Sequence, residues 1–62
     1  MKSSDIKNNL NRRVMYHGVE YIFDSVTVFL GESGYEYIAN IKDISAKSSY
    51  IVTDVADLRL IE

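Results

Sequence analysis

The stretch VEYIFDSVTVFL, residues 19–30, decides the fold of this chain. Its alternating apolar residues fall into two sets, Val19, Tyr21 and Phe23 at odd positions and Val26, Val28 and Leu30 at even positions. Successive side chains of a strand point to opposite faces, so one regular strand would place the two sets on opposite faces. A β-bulge at Asp24–Ser25 inserts one residue and would bring both sets to the same face.

A helix is the alternative for this stretch. Five of its twelve residues are β-branched and three more are aromatic, a composition that favours a strand. We therefore predict one long strand, bent at Asp24–Ser25, that places both apolar sets inside a small barrel.

Short alternating segments and turn signals surround this strand. RVMYH and VEYIF meet at His17 and Gly18, which is typical of a tight hairpin. GESG, residues 31–34, predicts a second hairpin loop, and YEYIANI, residues 35–41, predicts the next strand. The remaining segments are a polar loop at 45–49, a strand at 50–55, a single turn at 56–58 and a last strand at 58–62. Together they favour a mainly β fold, a small five-stranded antiparallel barrel that is closed or nearly closed.

The N-terminal residues MKSSDIKNNLNRR predict a short helix at about 3–10. Ser3 or Ser4 would cap it, and Ile6 and Leu10 would form a narrow apolar stripe. Asparagines at three positions disfavour a helix interior, so a frayed tail is the alternative. We divide the single domain, residues 1–62, into a basic N-terminal arm at 1–12 and a β-barrel at 13–62.

The composition limits the ways in which so short a chain is stabilised. The 62 residues include no cysteine, which excludes disulfides and thiolate zinc sites. A chain of this size buries only about 60% of the surface that its unfolded form exposes, and self-association often offsets this. Hydrophobic residues, at 47%, suffice for a core. We therefore expect a homo-oligomer without cofactors. The lack of cysteine and of any long apolar run favours a cytoplasmic protein with no membrane segment.

The charge distribution separates the arm from the rest of the chain. Residues 1–13 carry a net charge of +3, and residues 14–62 carry −5. The basic residues are Lys2, Lys7, Arg12 and Arg13. They could bind nucleic acid or an acidic partner, or the arm could dock on its own acidic body or on a neighbouring copy. We favour docking, because a net charge of +3 is small beside that of nucleic-acid-binding proteins.

Candidate catalytic and metal-binding residues are few. His17 is the only histidine, and its place beside Gly18 favours a turn residue over a catalytic base. Asp54 or Asp57 would cap the turn at 56–58, while Glu32 and Glu36 flank the GESG loop without a calcium-loop pattern. The sequence has no phosphate-binding glycine loop, zinc pattern or nucleophile motif, so we predict no enzymatic activity and no metal site.

Five tyrosines in 62 residues are the least ordinary feature of the composition; they are Tyr16, Tyr21, Tyr35, Tyr37 and Tyr50. Tyrosine combines a large contact area with a polar tip and is enriched at interfaces. They could form a face for a protein partner or for stacked bases, or they could be half-buried sheet residues. We expect one or two of them to be exposed.

The order of hairpin, long bent strand, hairpin, short strand, single turn and final strand resembles that of SH3-like small barrels. The ending VADLRLI is similar to the one-turn helix that such barrels place before their last strand. VMYHGVEYIF and GYEYIANIKDISAKSSYIV also resemble small uncharacterised proteins of Firmicute genomes and mobile elements, which carry no assigned activity. The Ala-Leu-Tyr-Asp-Tyr-type strand and the tryptophan of peptide-binding SH3 domains are missing. The resemblance therefore implies a fold and no recognition of proline-rich ligands.

These observations favour a small non-catalytic binding module. The leading hypothesis is protein–protein interaction with self-association, through a tyrosine-bearing face or an unpaired strand edge. The alternative is a nucleic-acid-binding barrel in which Lys2, Lys7, Arg12 and Arg13 contact phosphates while tyrosines stack on bases.

Overall fold

The predicted strands form one antiparallel sheet in the order β4-β3-β2-β1-β5. The computed structural model describes residues 1–46 and 48–61; Lys47, in the predicted 45–49 loop, and Glu62, at the end of the predicted last strand, lie outside the described residues. The elements are a 3-10 helix at Ser3–Asp5, α1 at Ile6–Asn9, β1 at Arg13–Tyr16, β2 at Val19–Gly31, β3 at Gly34–Asp43, β4 at Tyr50–Asp54, a second 3-10 helix at Val55–Asp57, and β5 at Arg59–Leu60. The mainly β fold with a short N-terminal helix is thus confirmed.

The predicted bulge lies where the sequence places it. Phe23 pairs with Ile41 and Ser25 pairs with Asn40, so Asp24 is an extra residue that has no partner of its own on β3. Pairing resumes at once, with Val26 opposite Ala39. Directly opposed residues of neighbouring strands share a face, so Phe23 and Val26 both face the core despite their odd and even numbers.

The core is small and lies under the middle of the sheet. Its buried apolar residues are Ile6, Val14, Phe23, Ala39, Ile41, Val55 and Leu58. The prediction that both apolar sets lie inside is wrong at three positions, because Val19, Val28 and Leu30 are 52%, 48% and 72% exposed. Val19 lies next to the first hairpin turn, and the other two lie beyond the last residues at which β4 pairs with β3. The bulge therefore sets the face of Val28 and Leu30 correctly, but no other described element covers that part of the face.

The N-terminal helical segment covers Ser3–Asp5 as a 3-10 turn and Ile6–Asn9 as α1, close to the predicted 3–10, but it has a different cap. The cap residues are Lys2 and Asp5 rather than Ser3 or Ser4, and the Asp5 carboxylate accepts a hydrogen bond from the Lys2 backbone N–H at 3.2 Å. Ile6 is buried in the core, whereas Leu10 is 38% exposed. Helix packing through one large apolar residue explains why a segment rich in asparagine is helical at all.

The turn and the last strand near the C-terminal end of the chain are both present as predicted, but they begin and end at different residues. The side chain of Asp54 accepts a hydrogen bond from the Ala56 backbone N–H at 2.9 Å, which confirms it as the cap of the predicted turn. The turn covers Val55–Asp57 rather than 56–58, and the last strand is Arg59–Leu60 rather than 58–62. Since β5 pairs with β1, strands β4 and β5 form the two edges of the sheet, and no ladder joins them in the described residues.

Candidate interaction surface

The far end of the β2–β3 hairpin presents an apolar surface to solvent. Val28 lies opposite Tyr37 and Leu30 lies opposite Tyr35, so these four side chains share one face of the hairpin. We call them the distal face. Leu30 is 72% exposed, Tyr35 70% and Val28 48%, while Tyr37 is half-buried and packs against the core. The distal face is thus a direct outward continuation of the core.

The distal face is open because the neighbouring strands end before it. On one side, β1 pairs with β2 only from Val19 to Ile22. On the other side, β4 pairs with β3 only from Ile38 to Lys42. A two-stranded ribbon, made of residues 28–31 and 34–37, therefore extends beyond the five-stranded part of the sheet. The molecule measures 36 Å along its longest axis and 25 and 19 Å along the other two.

The opposite side of the ribbon has a different chemistry. Phe29 lies opposite Glu36, and the Glu36 side chain lies across Gly31, where a Cβ atom would be 2.8 Å from its carboxyl carbon. Glu32 in the turn is also exposed. The ribbon is therefore apolar and uncharged on the core side and acidic at its tip and outer side.

The structure distributes the five tyrosines over three places. Tyr35 and Tyr37 belong to the distal face. Tyr16 and Tyr21 are half-buried against the core, with ring centroids 6.1 Å apart. Tyr50 is 52% exposed on β4, and the Lys42 ammonium nitrogen lies 5.8 Å from its ring centroid. Two tyrosines are exposed, as expected, but the five do not form one face.

The basic arm packs on the body, as favoured from the sequence. The Met1 ammonium group donates a hydrogen bond to the Leu58 carbonyl, but the arm is not held by ion pairs between its lysines or arginines and the body, except at Arg13, among the described residues. The Ile6 side chain enters the core, and the backbones of Asn11 and Arg12 exchange hydrogen bonds with Phe23 at 2.7 and 2.9 Å. Within residues 1–46 and 48–61, only one of the four basic side chains forms an ion pair, Arg13 with Glu20 at 3.5 Å. Lys2, Lys7 and Arg12 are exposed.

The edge strand β4 is a second exposed feature. Val52 is 65% exposed and lies opposite Asn40, on the outer face of the sheet. An edge strand has unpaired backbone groups that can bind another strand. The other edge, β5, has only two residues.

The candidate catalytic residues occupy structural positions. His17 and Gly18 form the two-residue turn between Tyr16 and Val19, with φ angles of 50° and 79°. With Asp57 and Arg59 they border an open groove of about 530 Å³ between this turn and β5. Asp57 accepts a hydrogen bond from the Thr53 hydroxyl at 3.2 Å. In the part of the chain that the structure describes, no three histidine or acidic residues are grouped so that they could hold a metal ion.

Sequence reasoning missed the most exposed apolar residue, Leu30. The signal that could have found it is a difference in length. The predicted strands at 13–17 and 50–55 are about half as long as the one at 19–30, so they could not flank the far end of the central hairpin. Also, none of the described helices is long and apolar enough to cross a membrane.

Comparison of the chain with protein-family models, with curated proteins and with solved structures gives no match.

Proposed function

We propose that this chain is a small non-catalytic binding module that acts by protein–protein interaction and associates with itself. The observation that carries the proposal is the cross-strand pair Leu30 and Tyr35, which is more than two-thirds exposed at both residues. Single exposed apolar residues are ordinary, but adjacent ones that extend a core form a patch of the kind found at interfaces. Tyrosine is enriched at such patches.

We also propose that the fold is an SH3-like small barrel. The strand order β4-β3-β2-β1-β5, the bent β2 and the 3-10 helix between β4 and β5 support this class. Closure would require the two edge strands to approach each other. The absence of cysteine supports a cytoplasmic location.

A second candidate function is nucleic-acid binding by the arm. The supporting observation is that Lys2, Lys7 and Arg12 are exposed on a segment that the core holds in place. Phosphate contacts would make the affinity fall steeply with salt concentration. Of the two exposed tyrosines, Tyr35 lies on the ribbon and Tyr50 on β4, so one nucleic-acid strand would have to contact both the arm and one of these tyrosines for stacking to contribute.

Two measurements on the unmodified chain test these functions. Sedimentation equilibrium at rising concentration should give a weight-average mass above that of the 7.1 kDa chain. A monomer at millimolar concentration would contradict self-association. Fluorescence anisotropy of labelled single- and double-stranded oligonucleotides at low salt should show no binding, and salt-sensitive binding would instead favour the second function.

A further inference from the structure

We infer that the distal face is covered by the distal face of a second copy of this chain, in a two-fold dimer whose hairpins run in opposite directions. The inference rests on the proposed function and gives it a site and a partner. Three features lead to it: the absence of charge on this face, the strand arrangement of the face, and the location of most acidic residues outside the ribbon.

The first feature is the lack of charged residues on the core side of the ribbon. The distal face and the adjoining Val26 and Ala39 include no acidic residue, lysine, arginine or histidine. A two-fold contact places a patch against an identical patch, so any charge on it would be close to its own copy. The whole chain carries −2, and the acidic residues outside the distal face would repel those of a second copy. The distal face is the surface on which two copies can meet without that cost.

The second feature is the strand arrangement of the face. Two sheets pack face to face at about 10 Å when both surfaces are apolar. The distal face is such a surface, a pair of antiparallel strands with aliphatic side chains on β2 and tyrosines on β3. A second copy would cover Leu30 and Tyr35 as the remainder of the sheet covers Val26 and Ala39. The core would then continue through the dimer.

The third feature sets the direction of the hairpins. If both tips pointed the same way, the two acidic bodies would lie side by side. With opposite directions the bodies lie at opposite ends, and Glu32 at each tip approaches the ribbon base of the other copy. Electrostatics therefore favours the antiparallel dimer.

The size of the face predicts a weak dimer. A tyrosine buries about 150–250 Å² when covered, so Tyr35, which is 70% exposed, offers on the order of 150 Å². The whole distal face offers a few hundred Å² per copy, below the roughly 800 Å² per partner of stable interfaces. We expect a dissociation constant on the order of 100 µM.

The test compares substitutions on the two sides of the hairpin by sedimentation equilibrium, from about 10 µM to about 1 mM. Leu30→Gln and Tyr35→Gln should each raise the dissociation constant at least about tenfold. The matched controls are Phe29→Gln on the opposite side of the ribbon and Val52→Gln on the β4 edge, which should leave it unchanged. All four residues are exposed, so far-ultraviolet circular dichroism should confirm that every variant folds.

The outcomes separate the inference from the proposed function. A wild-type chain that stays monomeric contradicts both. A wild-type dimer that only Val52→Gln weakens has its interface at the β4 edge, which overturns the distal face and leaves the self-associating module intact. The direction is tested by a spin label on Ser33→Cys, a unique site in this cysteine-free chain. Labelled backbones should lie about 20 Å apart in the antiparallel dimer, and about 10 Å would overturn that arrangement.

Discussion

The carboxylate of Asp24 lies 2.8 Å from the ammonium nitrogen of Lys42, and this pair joins the extra residue of the β2 bulge to β3. Each side chain is less than one-third exposed. Beside it, the Asn40 amide donates a hydrogen bond to the Ser25 hydroxyl at 3.2 Å. The bulge is thus fixed by polar contacts on the outer face and by Phe23 on the core face.

Replacing Asp24 by alanine should lower the urea midpoint of unfolding without changing the slope of the transition. The hydrogen bond to Asp24 raises the pKa of Lys42 above its ordinary value of 10.5. A cation whose pKa is raised by folding stabilises the folded state fully below that ordinary value, and the contribution is lost as the pH rises through the folded pKa. The difference in urea midpoint between wild type and Asp24→Ala should therefore have its full size at pH 7 and shrink at strongly alkaline pH.

Glu20→Ala provides the control for that experiment. Glu20 pairs with Arg13 at 3.5 Å, and both side chains are largely exposed, at 44% and 62%. Exposed ion pairs contribute little to stability, so this substitution should change the midpoint much less. Equal effects of the two substitutions on the urea midpoint would show that the ion pair at the bulge contributes no more to stability than the exposed ion pair.

Deleting Asp24 altogether should be tolerated better than deleting a nearby residue of the same strand. Without Asp24 the ladder becomes regular, and Ser25 and Val26 keep their faces and partners. Deleting Thr27 instead would turn Val28 and Leu30 to the outer face or force the hairpin to shift. We expect cooperative thermal unfolding, at reduced temperature, for the first deletion and none for the second. If both deletions unfold the chain, the bend itself is indispensable.

The conformation of the turn between β1 and β2 determines which residues are tolerated at His17. Both turn residues have positive φ, 50° at His17 and 79° at Gly18, as in the type I′ turns that favour Asn-Gly. His17→Asn should raise the free energy of unfolding by about 0.5 kcal/mol, and His17→Val should lower it by about 1–3 kcal/mol. Urea unfolding measures both, with His17→Gly as the control that removes the side chain and keeps the turn. If His17→Val left the free energy of unfolding unchanged, the turn would not need a positive φ at this position.

The sequence predicted the sheet and the bulge because both follow from local patterns. The change from odd to even positions at Asp24–Ser25 is visible in the residues themselves, and so is the turn at His17. The exposure of Leu30 does not follow from a local pattern, since it depends on where β1 and β4 end. The arm illustrates the same limit, because its charges are conspicuous in the sequence but Ile6 and two backbone hydrogen bonds hold it to the sheet.

The loop after β3 predicts a stability change in acid. One carboxylate oxygen of Asp43 accepts hydrogen bonds from the Ser45 hydroxyl and backbone N–H, both at 2.8 Å, and from the Ala46 backbone N–H at 3.0 Å. These bonds, that of the Ser45 hydroxyl most of all, hold the pKa of Asp43 below its ordinary value of 3.8. An acid whose pKa is lowered by folding stabilises the folded state above its ordinary pKa, and the contribution is lost as the pH falls through the folded pKa.

Asp43→Ala should therefore lower the urea midpoint by a constant amount between about pH 5 and 8, and the difference from wild type should shrink below about pH 4. Ser45→Ala removes only the hydroxyl bond and should give a smaller difference with the same pH dependence. Glu32→Ala, in the exposed turn of the other hairpin, is the control and should change little at any pH. A deficit of Asp43→Ala that is the same at pH 3 and pH 7 would mean that the shape of the side chain, rather than its charged hydrogen-bonded form, stabilises the loop.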